Sequence, residues 1–432
     1  DMGGTSTDVC LVSAGEPAMQ NERSIAGLPV RTRGMDIHTV GAGGGSLAWI
    51  DPAGLLKVGP ASAGAHPGPA AYLRGGQAPT VTDANFVLGR LAEGELLGGR
   101  MTCSLDAARR AVQGLATRLG LGLEETAAGI IQIVNTNMVG ALRTVSVERG
   151  HDPRDFALLA YGGAGPLHAV EVAARMGIRR VIVPPRPGLL SALGLLQADE
   201  RADFSVTRLV CLGDAPGDQG GAGSTAAAVI AQGFAELQAR AQAWIDREGL
   251  APAAVRLQPR VDMRYLGQSF EIEVPLASVP ADQSLEGIDL LGQDGGLVEA
   301  FHARHAVLNG YAAREQAVEV VTLRLAALAP AKLLRTRAAA ATGVAAAGPA
   351  DGLADGLADG PADVPVVSTR RPVWFEDHGS LPTPVLERDA LRPGQRLHGP
   401  AVLVQMDSTT LLPPDCEAEV DADANLVIHL RR

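Results

Sequence analysis

The chain has 432 residues, of which 46% are hydrophobic and 20% are charged, and its formal net charge at pH 7 is −11. This length predicts two or three domains, and this composition is that of a folded globular protein rather than a disordered one. Lys and Arg are scattered along an acidic chain, which argues against a nucleic-acid-binding protein, because such a protein needs a basic surface.

The four cysteines lie far apart and form no Cys-x-x-Cys pair. This spacing predicts reduced thiols rather than a disulfide framework or a structural zinc site. No apolar run reaches the roughly 18 residues of a membrane span, and no signal peptide is recognised. The sequence therefore predicts a cytoplasmic protein that has neither a membrane nor a nucleic acid as its partner.

Residues 1–8 contain two adjacent glycines and three hydroxyl side chains between Asp1 and Asp8, ahead of a short apolar strand at 9–12. Adjacent glycines let backbone N–H groups approach an anion, and the hydroxyls can donate to phosphate oxygens. The two carboxylates can hold Mg²⁺ or its waters. The alternative is a β-hairpin with a polar tip. The predicted phosphate-binding residues are Gly3, Gly4, Thr5 and Ser6.

A glycine turn of this kind normally joins two strands, and the sequence begins at Asp1 without the incoming strand. A domain seldom begins at such a point. We therefore expect the chain to be a fragment or a processed piece of a longer protein.

Residues 27–90 are rich in Gly and Pro, which predicts short strands and functional loops. Asp36 and His38 are two residues apart and would share one face of an extended strand. This pair suits a second divalent metal or a histidine base that a carboxylate orients, whereas the alternative is a structural glycine turn with a satisfied histidine. Asp83 is predicted to join them in a catalytic site, or else to cap a helix.

Helical periodicity predicts helices over 106–119 and 123–147. A strand at 157–161, a glycine turn, a helix at 168–176 and a strand at 181–183 then predict a βαβ unit. The turn lies where the start of a helix can face a nucleotide. It lacks Gly-x-Gly-x-x-Gly spacing, and the sequence contains no Walker A motif, which argues against dinucleotide dehydrogenases and P-loop ATPases. The predicted nucleoside-contacting residues are Gly162, Gly163 and Gly165.

The second half of the chain predicts a long helix at 226–248, paired strands at 255–261 and 269–276, a strand at 318–328 and short strands within 371–431. Residues 336–364 are low in complexity and predict a flexible linker. The predicted organisation is an α/β core at 1–205, an α+β domain at 206–335, the linker at 336–364 and a small all-β region at 365–432.

Together these motifs resemble the hydantoinase A/5-oxoprolinase family, which also includes acetone- and acetophenone-carboxylase subunits. The resemblance covers nearly the whole chain except the linker. The matching segments are residues 1–8, 36–46, 62–72, 80–90, 145–155, 162–168 and 187–199, with weaker matches at 264–268 and 399–401.

This resemblance implies half of an actin/hexokinase-like, RNase H-like ATPase fold and the use of ATP to phosphorylate a carbonyl oxygen. The expected substrate is a cyclic amide such as 5-oxoproline or a hydantoin, and the expected partners are the missing N-terminal half and a hydantoinase B-type subunit. The alternatives are a carboxylase subunit that activates a ketone and an inactive fragment that acts only in assembly. Ala71 stands where many members have a cysteine, so the substrate is not carried over from the family.

Overall fold

The computed structural model describes residues 1–20, 23–25, 28–30, 34–212, 222–285, 296–331 and 367–430. The predicted linker at 336–364 lies outside these residues. The described residues contain both helices and sheets, so the fold is mixed α/β. The chain divides into two compact units, of which the first combines Asp1–Ala192 with Ala346–Arg432 and the second is Leu193–Ala345.

The helices are α1 (Val81–Val87), α2 (Leu105–Leu119), α3 (Leu123–Val145), α4 (Gly165–Met176), α5 (Leu190–Gln197), α6 (Ala222–Glu248) and α7 (Gly296–Asn309). The strands up to residue 212 are β1 (Thr7–Val9), β2 (Val12–Ser13), β3 (Glu16–Pro17), β4 (Met19–Gln20), β5 (Arg23–Ile25), β6 (Leu28–Val30), β7 (Gly34–Met35), β8 (His38–Val40), β9 (Ser46–Ile50), β10 (Leu56–Ser62), β11 (Leu158–Leu159), β12 (Arg180–Val183) and β13 (Glu200–Leu212). The later strands are β14 (Arg256–Tyr265), β15 (Ile272–Pro275), β16 (Val279–Pro280), β17 (Val318–Ala329), β18 (Val367–Phe375), β19 (Gly379–Glu387), β20 (Arg396–His398), β21 (Ala401–Gln405), β22 (Ser408–Leu412), β23 (Cys416–Val420) and β24 (Leu426–Leu430).

The two predicted helices at 106–119 and 123–147 are confirmed as α2 and α3, with ends that differ by one or two residues. Ser104 caps α2 by accepting a hydrogen bond from the backbone N–H of Ala107, and Gly120 ends it in the left-handed conformation that glycine adopts readily. The buried residues of α3 repeat at helical spacing and form one core with α1, β9 and β10. The helices thereby support the strands that precede them.

The predicted βαβ unit is confirmed, because β11 and β12 are parallel and α4 connects them. The C-terminal strands extend this sheet, since β24 pairs antiparallel with β12, and Val181 lies opposite Ile428. A second sheet contains β18, β19, β21 and β22, and α4 packs against β22. The strands predicted as a small all-β region therefore lie in the same compact unit as residues 1–192, while the predicted domain boundaries themselves stay a prediction.

The second unit is built on a sheet in which β13, β17, β14 and β15 are neighbours and β16 also pairs with β14. Long strands alternate buried and partly exposed residues, and the buried ones pack against α6 and α7. The paired strands predicted at 255–261 and 269–276 are confirmed as β14 and β15. The predicted strand at 318–328 is confirmed as β17.

Candidate functional site

The first eight residues form a tight hairpin that brings Asp1 and Asp8 opposite each other. The N–H of Asp8 donates to the carbonyl oxygen of Asp1 at 2.9 Å, and the amino group of Asp1 donates to the carbonyl oxygen of Asp8 at 2.9 Å. Residues that exchange both bonds in this way project their side chains to the same face. Thr39 donates to a carboxylate oxygen of Asp8 at 2.5 Å, and Ser191 donates to one of Asp1 at 3.0 Å. Because Asp1 and Asp8 are paired through their backbones and line the same cavity, the two predicted metal ligands are neighbours.

The tip of this hairpin rests on the glycine run at 43–45. The N–H groups of Gly44 and Gly45 donate to the carbonyl oxygens of Gly3 and Gly4 at 3.0 and 2.6 Å. A Cβ atom at Gly43 would lie 2.6 Å from backbone atoms of Thr5, so only glycine allows this approach. A Cβ atom at Gly3 or Gly4 would have no described atom within 4 Å. The glycine run at 43–45 thus supports the predicted phosphate loop, and Gly3 and Gly4 face open space.

That open space belongs to a cavity of about 300 Å³ within the first unit. Its volume is at the lower end of the range of small-molecule sites, roughly 300–1,000 Å³. Small and polar residues on its wall are Gly3, Gly4, Gly44, Gly45, Gly64, Thr82, Asn85, Gly163, Ala164, Gln405, Asp407, Ser408 and Thr409. Larger apolar residues on its wall are Pro69, Tyr72, Leu91, Leu96, Leu97, Met101, Leu167 and Met406. A wall of this composition suits a ligand that has an anionic part and a flat apolar part.

The glycine turn before α4 packs against the hairpin. The N–H of Ala164 donates to the carbonyl oxygen of Met2 at 3.0 Å, and a Cβ atom at Gly162 would lie 2.4 Å from both that oxygen and a carboxylate oxygen of Asp1. Gly162 also has a φ of +83°, which L side chains rarely adopt. Of the three glycines predicted to contact a nucleoside, Gly163 lines this cavity, Gly162 packs closely against the hairpin, and Gly165 lines the second cavity described below.

A buried polar network lies beneath the cavity wall. Arg90 is 1% exposed and donates to Glu171 at 2.6 Å, and the Asn135 side chain donates to the other carboxylate oxygen at 2.7 Å. Nδ1 of His168 lies 2.8 Å from the amide oxygen of Asn135, and its Nε2 lies 3.4 Å from the amide nitrogen of Asn85. Sequence reasoning missed this network, because its members come from three segments that are distant in sequence.

Two opposed effects set the pKa of Glu171. Burial alone would raise this pKa, but the charge of Arg90 and the hydrogen bonds from Arg90 and Asn135 outweigh burial and hold the pKa below its usual range. Burial lowers the pKa of His168 from 6.5 to about 4, against the charge of Glu171, which raises it. Glu171 is therefore ionised and His168 is neutral at pH 7.

Acid is expected to destabilise the first unit through His168. His168 binds a proton near pH 6.5 in the unfolded chain and only near pH 4 in the folded chain. The stabilisation that comes from the neutral ring is therefore complete above pH 6.5 and is lost as the pH falls toward 4. This difference corresponds to about 3 kcal/mol. Urea unfolding should show that His168→Asn loses less free energy of unfolding between pH 7 and pH 4.5 than the parent does. The exposed control His398→Asn should lose as much as the parent. An equal acid loss in the parent and His168→Asn would contradict this assignment.

The three residues predicted to be catalytic do not gather in the cavity. Asp36 is buried and forms an ion pair with Arg149, which follows α3. His38 is half-buried on β8, opposite Val9 of β1, and in the part of the chain that the structure describes it lines neither this cavity nor the second one described below. The predicted pairing of Asp36 with His38 stays a prediction.

Asp83 is fully buried and makes four hydrogen bonds. It accepts from the N–H groups of Ala70, Ala71 and Thr80 at 3.2, 2.7 and 2.9 Å and from the hydroxyl of Thr80 at 2.7 Å. Burial raises the pKa of Asp83, and these hydrogen bonds oppose that rise. Thr80 and Asp83 form a capping box at the start of α1. Asp83 thus has the helix-capping role that was the alternative, and its catalytic role stays a prediction.

A second cavity, of about 370 Å³, lies on the other side of the hairpin, and Asp1 and Asp8 belong to its wall together with residues of α3 and α4. Among the described residues, no three His, Cys, Asp or Glu side chains gather as a metal site. The second divalent metal therefore stays a prediction. No described helix is both long enough and apolar enough to cross a bilayer.

Sequence reasoning also missed the turn between β21 and β22, which contributes residues 405–409 to the wall of the first cavity. The N–H of Gly188 donates to the carboxylate of Asp407 at 2.9 Å, and the hydroxyl of Ser408 donates to the carbonyl oxygen of Gly163 at 3.2 Å. The first bond attaches the turn to residues 187–189, and the second attaches it to the glycine segment before α4. No local pattern indicates these contacts, because the turn is more than 200 residues from both of its partners.

The family model "Hydantoinase/oxoprolinase" matches residues 1–204, and "Hydantoinase/oxoprolinase C-terminal domain" matches residues 220–319. The caprolactamase subunit alpha of Pseudomonas jessenii is 34% identical over 431 residues, which cover 98% of this chain and 57% of that protein. The crystal structure of the ATP-dependent caprolactamase from the same organism matches with a TM-score of 0.74 and 34% identity, over 100% of this chain and 58% of that one.

The nucleotide-free structure of acetone carboxylase matches with a TM-score of 0.78 and 25% identity, over 99% of this chain and 57% of that one. The chain thus spans a little more than half the length of these relatives. Two family models in chain order and a match to caprolactamase along nearly the entire sequence agree with the motifs at 1–8 and 162–168. The chain therefore belongs to the hydantoinase/oxoprolinase family.

Proposed function

We propose that this chain forms part of an ATP-dependent enzyme that hydrolyses a cyclic amide, and that its glycine-lined cavity binds the nucleotide. The observation that carries the proposal is the convergence of Gly3, Gly4, Gly44, Gly45 and Gly163 on one cavity. The N–H groups of Gly3, Gly44 and Gly45 already donate to carbonyl oxygens, so these glycines allow close approach of a ligand to the backbone, and the N–H groups of Gly4 and Gly163 are the proposed donors to phosphate oxygens. The apolar residues of the same wall are suited to a base.

In this proposal the fold is half of an actin/hexokinase-like ATPase, and Asp1 and Asp8 would hold Mg²⁺ where the hairpin ends, on the wall of the second cavity rather than of the first. The residues fit such an ion, because two carboxylates share one face of the hairpin and hydroxyls of Thr39 and Ser191 orient them. Bound ATP supplies a phosphoryl group that turns a carbonyl oxygen into a leaving group. Thr5 and Ser6 follow Gly4 in the sequence and do not line the described cavity, and their hydroxyls are proposed to donate to phosphate oxygens at its edge.

A cyclic amide is the proposed substrate because the matching caprolactamase is named for a lactam and is called ATP-dependent. The second candidate is activation of a ketone, which the likeness to the structure titled ATP-dependent acetone carboxylation favours. Both reactions begin at a carbonyl oxygen, and the same nucleotide cavity serves either. A separate hydantoinase B-type subunit is proposed as the partner, since the caprolactamase relative is itself a subunit alpha.

Gly4→Ala tests the nucleotide cavity. The added methyl group would project into open space, so the fold should persist while contact of the loop with phosphate is lost. We expect MgATP to bind the full-length gene product about 10–100-fold more weakly, as measured by calorimetry. Gly140→Ala is the matched control, because a Cβ atom there also has no described atom within 4 Å, and it lies on α3 outside the cavity.

The substrate is tested by ADP release in the presence of 5-oxoproline, hydantoin, caprolactam or acetone, with and without a B-type subunit. ADP release that requires a cyclic amide supports the main proposal. ADP release that requires acetone together with bicarbonate supports the second candidate. MgATP binding that is equal in the parent, Gly4→Ala and Gly140→Ala would overturn the assignment of the cavity. If the parent binds no MgATP, the alternative that the chain acts only in assembly is favoured.

A further inference from the structure

Two strand edges line the second cavity. Residues 9–12, which continue β1, contribute one of them, and residues 158–161, which contain β11, contribute the other. β1 pairs with β8 along its far edge, and β11 pairs with β12 along its far edge. Beyond Asp1 and Met2, no described strand pairs with the two edges that face the cavity. An open sheet edge beside an apolar cavity is a place where a further strand can add.

The backbone groups of the first edge are available to a neighbouring strand. Asp8 exchanges both backbone hydrogen bonds with Asp1, so Cys10, two residues further on, presents its N–H and C=O groups to the same edge. The carbonyl oxygen of Leu11 accepts from the N–H of Ala18 at 2.9 Å on the opposite edge, as this alternation requires. Neither backbone group of Cys10 has a hydrogen-bond partner among the described residues.

The edge of β11 shows the same alternation. The N–H of Ala160 donates to the carbonyl oxygen of Ile182 in β12 at 2.9 Å, so Tyr161 presents its backbone groups to the opposite edge. The carbonyl oxygen of Tyr161 accepts from the N–H of Met2 at 3.0 Å, whereas its own N–H has no described partner. Met2 thus pairs with the edge of β11 and Asp1 with the edge of β1, so their backbone already runs between the two edges.

Apolar side chains of α3 and α4 complete the wall, namely Met138, Leu142, Val145, Ala169, Val172 and Met176. Met2 is 2% exposed and belongs to the same core as α3. Side chains alternate between the two faces of a strand, so a strand that runs on from Asp1 would direct its first and third residues toward these helices and its second residue away from them. Asp1 and Asp8 also project away from the helices, so such a strand and the proposed Mg²⁺ lie on different faces.

We infer that the second cavity receives one further β-strand, which lies between β1 and β11 and joins the sheet of β1 and β8 to the sheet that contains β11 and β12. The occupant is the segment directly ahead of Asp1 in the full-length gene product, because a backbone that runs on from Asp1 meets both edges in the observed alternation without an intervening loop. It pairs antiparallel with residues 9–12 and parallel with residues 158–161, and its first and third residues are apolar.

The relatives are long enough to contain such a segment, since this chain spans 57% of the acetone carboxylase chain and 58% of the caprolactamase chain. The inference concerns the assembly of the sheet, and it stands whether or not the first cavity binds a nucleotide. A failure of MgATP to bind would therefore overturn the proposed function and leave the strand in place.

Disulfide cross-linking in the full-length gene product tests the register. The bonds between Asp1 and Asp8 place the second residue ahead of Asp1 opposite Cys10. Cα atoms of such a hydrogen-bonded pair are about 5.5 Å apart, which a disulfide can span. A cysteine at that residue should react with the free thiol of Cys10 when diamide is added. A cysteine at the first residue ahead of Asp1 is the matched control, because its side chain lies on the other face, and peptide mass spectrometry should find at least about tenfold less cross-link.

Hydrogen exchange of the unmodified full-length protein decides the matter if a cysteine variant fails to fold. The backbone amides of Cys10 and Tyr161 should exchange at least about 100-fold more slowly than that of Asp377, an exposed turn residue whose N–H also has no described partner. Exchange at Cys10 and Tyr161 as fast as at Asp377 would show that the edges are open and would overturn the inference. Slow exchange without a cross-link at the second residue would assign the cavity to another occupant, and equal cross-linking at both residues would exclude the register, so either result contradicts the proposal.

Discussion

Replacing Arg90 with methionine is expected to lower the free energy of unfolding of the first unit by about 3–5 kcal/mol. Methionine fills much of the same volume but leaves the carboxylate of Glu171 buried without its cationic partner. Only the hydrogen bond from Asn135 would remain to stabilise that charge. Urea unfolding at pH 7, followed by a probe in the first unit, measures the loss.

A double variant distinguishes the contribution of the ion pair to stability from that of side-chain packing. Arg90→Met combined with Glu171→Met should be less destabilised than Arg90→Met alone, because no uncompensated charge then remains in the interior. The exposed pair of Arg154 with Asp152 offers the contrast, and Arg154→Met should change stability little. A loss below about 1 kcal/mol for Arg90→Met would show that the network contributes little to the fold.

Replacing His38 with alanine is expected to reduce substrate-dependent ADP release by about 10²–10⁴-fold, if His38 acts as a general base or holds a metal. The melting temperature should change little, since the ring is half-exposed on the short strand β8. His38 lies one residue from Thr39, which binds the carboxylate of Asp8, so a catalytic role would place it beside the proposed metal site. Both quantities should be measured on one preparation.

His398→Ala is the matched control for that experiment, because His398 is exposed on β20, away from the hairpin. It should leave both turnover and melting temperature close to those of the parent. Normal turnover with a lowered melting temperature in His38→Ala would move this residue to a structural role. It would also remove the main argument for catalysis at the Asp36–His38 segment.

Local patterns were enough to predict most of the helices and strands. The helix at 105–119 has an N-terminal serine cap, an amphipathic repeat and a terminal glycine within 17 residues, and each of these acts over one or two turns. Pairing between distant strands was not predictable in this way. Nothing within β12 indicates that β24 is its partner, because alternating apolar residues fit many neighbours equally well.

The candidate site shows the same division between local and distant contacts. The hairpin at 1–8 was predictable as a phosphate loop, since its glycines, hydroxyls and carboxylates are adjacent in sequence. The ion pair of Asp36 with Arg149 and the placement of Gln405 opposite the glycine turn depend on tertiary packing. Asp83 carried an ambiguous signal, because a carboxylate at the start of a helix is typical of a capping box as well as of an active site.

The pairing of Val181 with Ile428 has a consequence for how the protein is made. A ribosome that adds about 5–20 residues per second needs roughly 10–50 seconds to travel between these two positions. During that interval the edge of β12 lacks its partner strand, while the whole second unit, which lies between them in sequence, is synthesised. Residues 405–409 are the last part of the first cavity's wall to be made. The proposed nucleotide site should therefore be complete only after synthesis has passed this turn.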